Sequence, residues 1–210
     1  MCTLYGAKGS GAAAVEAALR LAGQPFKWVE AASWQPTPAF ERMKAVNPLG
    51  QVPTLQLEDG TVMTESAAIL IWLGQHYPHS GLLPREPAQA IRGLVYIAAN
   101  CYAAIGIIDF PARFCTDCDE ATAERIRAGT RARLHEYWRI FADTFPAEPF
   151  LSGAQLGDLD ILAAVVSRWS GARAHLATER PAFHALMQRI EADPRLVDIF
   201  ERHWPAASGG

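Results

Sequence analysis

The chain has 210 residues and a mass of 22.9 kDa, enough for one large domain or two small ones at about 150 residues per domain. Half of the residues are hydrophobic, 20% are charged and 10% are aromatic, which excludes a disordered chain. Nineteen basic against 22 acidic residues leave a net charge of -3, so the basic surplus of a nucleic-acid or anionic-lipid binder is missing.

Unbroken apolar runs such as 67–73 and 105–108 fall short of the roughly 20 residues that cross a bilayer, and no membrane helix is expected. Met1 to Gly6 lacks the basic and apolar regions of a signal peptide. Cys2, Cys101, Cys115 and Cys118 are too few and too unevenly spaced for a disulfide framework. Reduced thiols and a cytoplasmic location are the expectation.

Cys2 to Tyr5 is a short β-prone run, and Ser10 to Leu21 is rich in good helix formers, stopped by Gly23 and Pro25. Phe26 to Val29 predicts a second strand, and a looser helical segment over 40–45 leads into the breakers Asn47-Pro48-Leu49-Gly50. Thr54 to Leu57 and Thr61 to Thr64 flank Glu58-Asp59-Gly60, the signature of an antiparallel hairpin. Ile69, Trp72, Leu73 and His76 then follow helical spacing up to Pro78. Beyond Pro84 the strand signal stops, and helices are predicted over about 87–108, 119–142, 157–169, 181–192 and 195–203. Three prolines and a glycine between Tyr77 and Pro87 mark a boundary, giving a first domain over 1–78, a linker over 79–86 and an all-helical domain over 87–204.

This order, with Asn47-Pro48-Leu49-Gly50-Gln51-Val52-Pro53-Thr54-Leu55, Leu57-Glu58-Asp59-Gly60 and Thr64-Glu65-Ser66-Ala67-Ala68-Ile69 in succession, resembles the cytosolic glutathione transferases of bacterial type. The resemblance implies an α/β plus all-α fold, with an N-terminal thioredoxin-like domain and a C-terminal helical domain. It also implies a homodimer and a small hydrophobic electrophile as second substrate. Glutathione enters as co-substrate, with no further cofactor, no metal, and no nucleic acid or membrane as partner.

The residues carry a chemical logic of their own. A cis bond at Val52-Pro53, which the strand-opening proline predicts, turns the Val52 backbone outward as an edge that can pair with a short peptide. Glu65 and Ser66 sit where a strand turns into a helix, so free N–H groups and a hydroxyl meet a carboxylate there while Glu65 meets an ammonium group. Helix capping is the simpler use of the same residues. By resemblance Val52 holds the cysteinyl part of glutathione and Gln51, Glu65 and Ser66 its γ-glutamyl end, with Pro53 in the same binding set.

A glutathione thiol needs a donor beside a helix N-terminus to become a thiolate. Ser10, the sole hydroxyl in the loop 6–12, is the first candidate, with helix capping as its alternative; Tyr5, at the end of the first strand, is the second. Related bacterial proteins often place a further Ser or Cys where this chain has Gly11 and Ala12. Tyr102, Ile105, Phe110 and Phe114 are candidates for the second-substrate pocket, against an interdomain core role. Leu156 to Ile161 resembles the family's capping box, with Asp160 bonding back to the N-cap amide and Gly157 where Ser or Thr is usual. Gly9-x-Gly11-x-x-Ala14 imitates a dinucleotide fingerprint without the further β-α-β units such a domain needs, and Cys115-Thr116-Asp117-Cys118 lies far from where a thioredoxin-type pair belongs. Two other readings remain open: a noncatalytic glutathione-transferase-like binding or regulatory protein, and a glutathione-dependent thiol reductase.

Overall fold

The computed structural model describes residues 1–205. Its first part is a mixed four-stranded sheet in the order β2-β1-β3-β4, built from β1 (Cys2–Gly6), β2 (Phe26–Glu30), β3 (Thr54–Gln56) and β4 (Val62–Met63). β1 and β2 run parallel through the crossover helix α1 (Ala12–Leu21), whereas β3 is antiparallel to both β1 and β4. This sheet excludes a dinucleotide-binding domain, whose strands continue parallel.

Side chains alternate across a strand, and β1 shows the consequence. Leu4 belongs to the main core with Leu55, α1 and α3 (Ser66–His76), while Tyr5 belongs to a second cluster with Ala31 and Met43 of α2 (Pro38–Val46), against which Val52 packs. α1 and α3 therefore share one face of the sheet and α2 covers the other. α2 starts where Thr37 accepts the Phe40 N–H at 3.1 Å and Pro38 fills the first turn.

The remainder is helical, as the loss of strand signal after Pro84 predicts. α4 (Ala88–Tyr96), a π-helical segment (Ile97–Tyr102) and α5 (Ala103–Asp109) form one continuous helix. Its 22 residues, with a mean hydropathy of 1.6 over the most apolar stretch, are long and apolar enough to cross a bilayer by length and composition, which counting unbroken apolar runs did not anticipate. Here Leu94, Ile97, Cys101, Ala104, Ile105 and Ile108 turn into the common core, where α6 (Glu120–Thr144) packs along α5. The π turn widens the helix where it packs against α6 and α7 (Asp158–Val166), and Tyr102 closes it.

α7 is buried at all nine positions and packs on α1, α3, α4 and α9 (Pro181–Glu191), joining the two parts through one core. Asp160 accepts the backbone N–H groups of Leu151, Ser152 and Gly157 at 2.7, 3.0 and 3.1 Å, the predicted bond to the N-cap amide among them. Glycine stands at 157 because a Cβ there would come within 2.4 Å of the Leu82 carbonyl oxygen.

One helix goes unpredicted. α8 (Ala172–Glu179) buries only Ala172 and Leu176, a stripe too narrow to register as periodicity, and it follows Gly171 in a left-handed conformation at φ 78°. α10 (Val197–His203) closes the described chain against α1.

Candidate active site

Three backbone features converge at one end of the sheet. The first is the loop before β3, folded around a buried pair of polar side chains. Asn47 donates through Nδ2 to the Gln51 carbonyl at 3.1 Å and to Thr54 Oγ1 at 2.9 Å, and Thr54 Oγ1 donates to the same carbonyl at 2.8 Å. Gly50 makes the turn at φ 62°, in the region that favours glycine. With Asn47 and Thr54 pinned inside, Gln51 is left exposed and Val52-Pro53 is cis, as the proline at the strand start predicts. Among the described residues neither the Val52 N–H nor its C=O has a backbone partner, so an open edge precedes the β3 ladder.

The second feature is the start of α3. Glu65 holds φ 62° and ψ 109°, a backbone a non-glycine residue rarely adopts, and its carbonyl opens the helix by accepting the Ile69 N–H. The Glu65 side chain is exposed and gives no cap hydrogen bond, and Ser66 is buried at the first helical position. The first-turn N–H groups are thus available to an anion, beside a carboxylate turned to solvent.

The third is the loop from Ala7 to Ala12. Ser10 is 9% exposed, its hydroxyl donates to the Ala7 carbonyl at 2.6 Å, and its oxygen accepts the N–H groups of Ala12 at 3.2 Å and Ala7 at 3.4 Å. This is the local capping use of a serine. Tyr5 packs against the α2 side of the sheet, on the face opposite α1.

Tyr102 reaches this loop from the other domain. A Cβ on Gly11 would meet the Tyr102 hydroxyl at 2.5 Å, so the phenol occupies the space a side chain at 11 would fill. Burial pushes the Tyr102 pKa up to about 12, partly opposed by the Gly11 N–H aimed at its oxygen, and the phenol keeps its proton at neutral pH.

Of the other predicted pocket residues, Ile105 is 4% exposed and belongs to the common core, because its helix turns that face inward. Phe110 and Phe114 are 49% and 60% exposed, in and beside the turn that follows α5. Cys115 and Cys118 are free thiols between this turn and α6, and Cys2 lies at the start of β1 against the Pro25 carbonyl.

The loop is also tied from a place no local pattern reveals. Gly9, at φ 72°, donates its N–H to Nδ1 of His203 at 3.1 Å, and Nε2 of His203 lies 2.8 Å from Oε2 of Glu16, which Arg202 also engages. Because Nδ1 accepts, the imidazole proton sits on Nε2 and goes to Glu16. Both side chains are buried, so α10 clamps the loop that opens α1.

Comparison with known proteins identifies relatives of the chain as a whole. Residues 4–82 match the family described as Glutathione S-transferase, N-terminal domain. Over 208 residues the chain is 28% identical to an uncharacterized GST-like protein, YncG, of Escherichia coli, covering 97% of this chain and 98% of that one. It is 30% identical over 158 residues to the glutathione S-transferase GstA of Escherichia coli O157:H7, covering 73% of this chain and 74% of the relative. Among solved structures, a glutathione transferase homologue from Sulfitobacter with bound glutathione superposes with a TM-score of 0.82 at 25% identity, over 95% of this chain and 96% of the other. In sequence and in fold alike, this chain belongs to the glutathione transferase family.

Proposed function

We propose that the protein binds glutathione across these three features and joins it through its sulphur to a small hydrophobic electrophile. The observation that carries this reading is the open Val52 edge beside an uncapped α3 N-terminus, with Glu65 held in a strained conformation between them. An extended cysteinyl backbone pairs with Val52 N–H and C=O next to Pro53. The γ-glutamyl carboxylate meets the first turn of α3 at Ser66, and its ammonium group meets Glu65, with Gln51 alongside. Glutathione bound to the Sulfitobacter homologue supports the assignment.

The thiol then lies at the N-terminus of α1. Tyr102 is our candidate for the donor to its sulphur, since the Ser10 proton goes to Ala7 and Tyr5 packs on the other face. With an aryl chloride, the thiolate sulphur forms a bond to the ring carbon and chloride leaves with the bonding pair; the thiol proton has already passed to solvent. A thiol-reductase reading lacks a cysteine at this helix start, where Ser10 and Gly11 stand. A noncatalytic reading has the engagement of Ser10 in its favour.

Calorimetric titration is expected to show glutathione binding, weakened about tenfold in Glu65→Ala, the lower end for a charge-assisted contact because the carboxylate is exposed. Equal affinity in the variant overturns the binding assignment. Turnover of chlorodinitrobenzene with glutathione separates the readings: binding without turnover establishes the noncatalytic one.

We also propose a twofold homodimer working in the cytoplasm. The apolar helix over 88–109 is only 39% buried in its most apolar stretch, and Val95 within it remains 51% exposed. Light scattering at micromolar concentration is expected to give twice 22.9 kDa, and a monomer mass rejects the dimer.

A further inference from the structure

A cavity of about 430 Å³ opens between the turn after α7, the start of α8, α9 and the end of α10, lined by Arg168, Trp169, Arg173, Gln188, Glu191 and Trp204. That volume falls in the range of small-molecule sites. Two of its walls lead to the loop that opens α1. The Trp169 ring meets the Tyr102 ring edge-on at 5.5 Å, and Tyr102 in turn touches Gly11. On the other side, Trp204 Nε1 lies 3.6 Å from where a Gly9 Cβ would be.

Among the described residues, the charges inside do not cancel. Glu191 accepts from Arg168 Nε at 3.0 Å and Nη2 at 2.6 Å, and Arg173 Nη2 approaches the same carboxylate at 2.7 Å. Guanidinium groups keep their charge, so among the described residues two cations share one anion; Arg173 Nη2 also donates to the Ala164 carbonyl at 2.6 Å and to Ser167 Oγ at 3.0 Å, neutral acceptors, and His184, which also lines the cavity, brings no negative charge. The three side chains are only 15–25% exposed, where an unneutralised cation is costly. Arg168 stacks over Trp204 at 4.6 Å and over Phe200 at 5.7 Å, which holds the planar fork against an aromatic wall.

We propose that this cavity binds the carboxylate end of a planar, conjugated second substrate, the indoles of Trp169 and Trp204 flanking its ring system and Arg168 and Arg173 supplying the net positive charge. The electrophilic carbon then points toward the start of α1. That last clause rests on the glutathione reading; carboxylate binding does not.

Quenching of tryptophan emission by para-nitrobenzoate and by the neutral para-nitrobenzamide, at one ionic strength, tests the cavity without glutathione. The carboxylate is expected to bind about tenfold more tightly than the amide, and Arg168→Gln to abolish that preference. Glu191→Gln, which keeps the side-chain size and removes the competing anion, is expected to tighten carboxylate binding about threefold or more. Equal affinity for the two probes in the wild type, or a natively folded Glu191→Gln without tightening, overturns the proposal. Conjugation assays with chloronitrobenzamide and chloronitrobenzoate keep the two readings apart. If the amide is turned over with no preference for the carboxylate, the cavity assignment fails and the glutathione reading stands. If neither is turned over while the nitrobenzoate preference persists, the cavity assignment stands alone.

Discussion

Asp160→Ala is expected to lower the stability of the folded chain by about 3 kcal/mol or more, since three buried backbone N–H groups lose their acceptor at about 1–3 kcal/mol each. For a chain of this size that is a fall in melting temperature of roughly 6–12 °C. Burial pushes the Asp160 carboxyl pKa up while the hydrogen bonds it accepts pull it back. Its neighbour Asp158 is fully buried with both oxygens unpartnered among the described residues, and burial raises its pKa well above the usual carboxylate range. One charge, on Asp160, is thus the economical state of the pair, and that charge faces the start of α7. Asp160→Asn retains one acceptor oxygen and is expected to fall between the two. The effect reaches the active site through packing: α7 lies against α1 and α3, whose first turns receive glutathione in our reading. Glutathione binding in Asp160→Ala should therefore fail with global unfolding and not below it. A melting temperature within about 2 °C of wild type refutes the assignment.

Local chemistry was the legible part of this chain. Asn47 through Pro53, the Asp59-Gly60 turn and the Glu65-Ser66 helix start each act on neighbours a few positions away, and each folds as its residues predict. Asp160 is a similar case, because its predicted partner at 157 is three residues off. What escaped was long-range or weakly patterned. His203 and Glu16 meet across 187 positions, and neither stands in a motif. Tyr102 looked like one aromatic among several on a helix, yet only it closes a π turn beside a glycine in the other domain. Gly11 was legible as a departure from the family and as part of a glycine stretch that imitates a dinucleotide fingerprint. In three dimensions its missing side chain is the room that Tyr102 fills.

Tyr102→Phe is expected to raise the pKa of bound glutathione's thiol by roughly one to two units and to slow turnover about ten- to hundredfold at neutral pH. That range follows from a hydrogen bond to a charged group, about 1.5–3 kcal/mol, counted at about 1.4 kcal/mol per pKa unit. The phenol suits the role because burial, which pushes its own pKa up to about 12, leaves it protonated while a thiol beside it ionises. The hydroxyl sits against the Gly11 backbone at the start of α1, so its O–H proton is placed to be given to a sulphur bound there. Gly11→Ala should reproduce the effect without removing the hydroxyl, because the new Cβ would lie 2.5 Å from it and force it away. Ser10→Ala is expected to act differently: its hydroxyl caps the loop through Ala7 and Ala12, so its loss costs roughly 1 kcal/mol of stability and leaves the thiol pKa nearly in place. Tyr5→Phe should be silent in both measurements, because that ring lies on the α2 side of the sheet. Ultraviolet titration of the bound thiolate reads all four variants. A shift in Ser10→Ala with none in Tyr102→Phe returns the donor role to Ser10, whose hydroxyl would then have to leave Ala7 for sulphur when glutathione binds. No shift in any of them leaves the α1 N–H groups and helix dipole as the whole of the activation, which a helix terminus limits to about 0.3–1 kcal/mol at an exposed site and which would favour a binding protein over an enzyme.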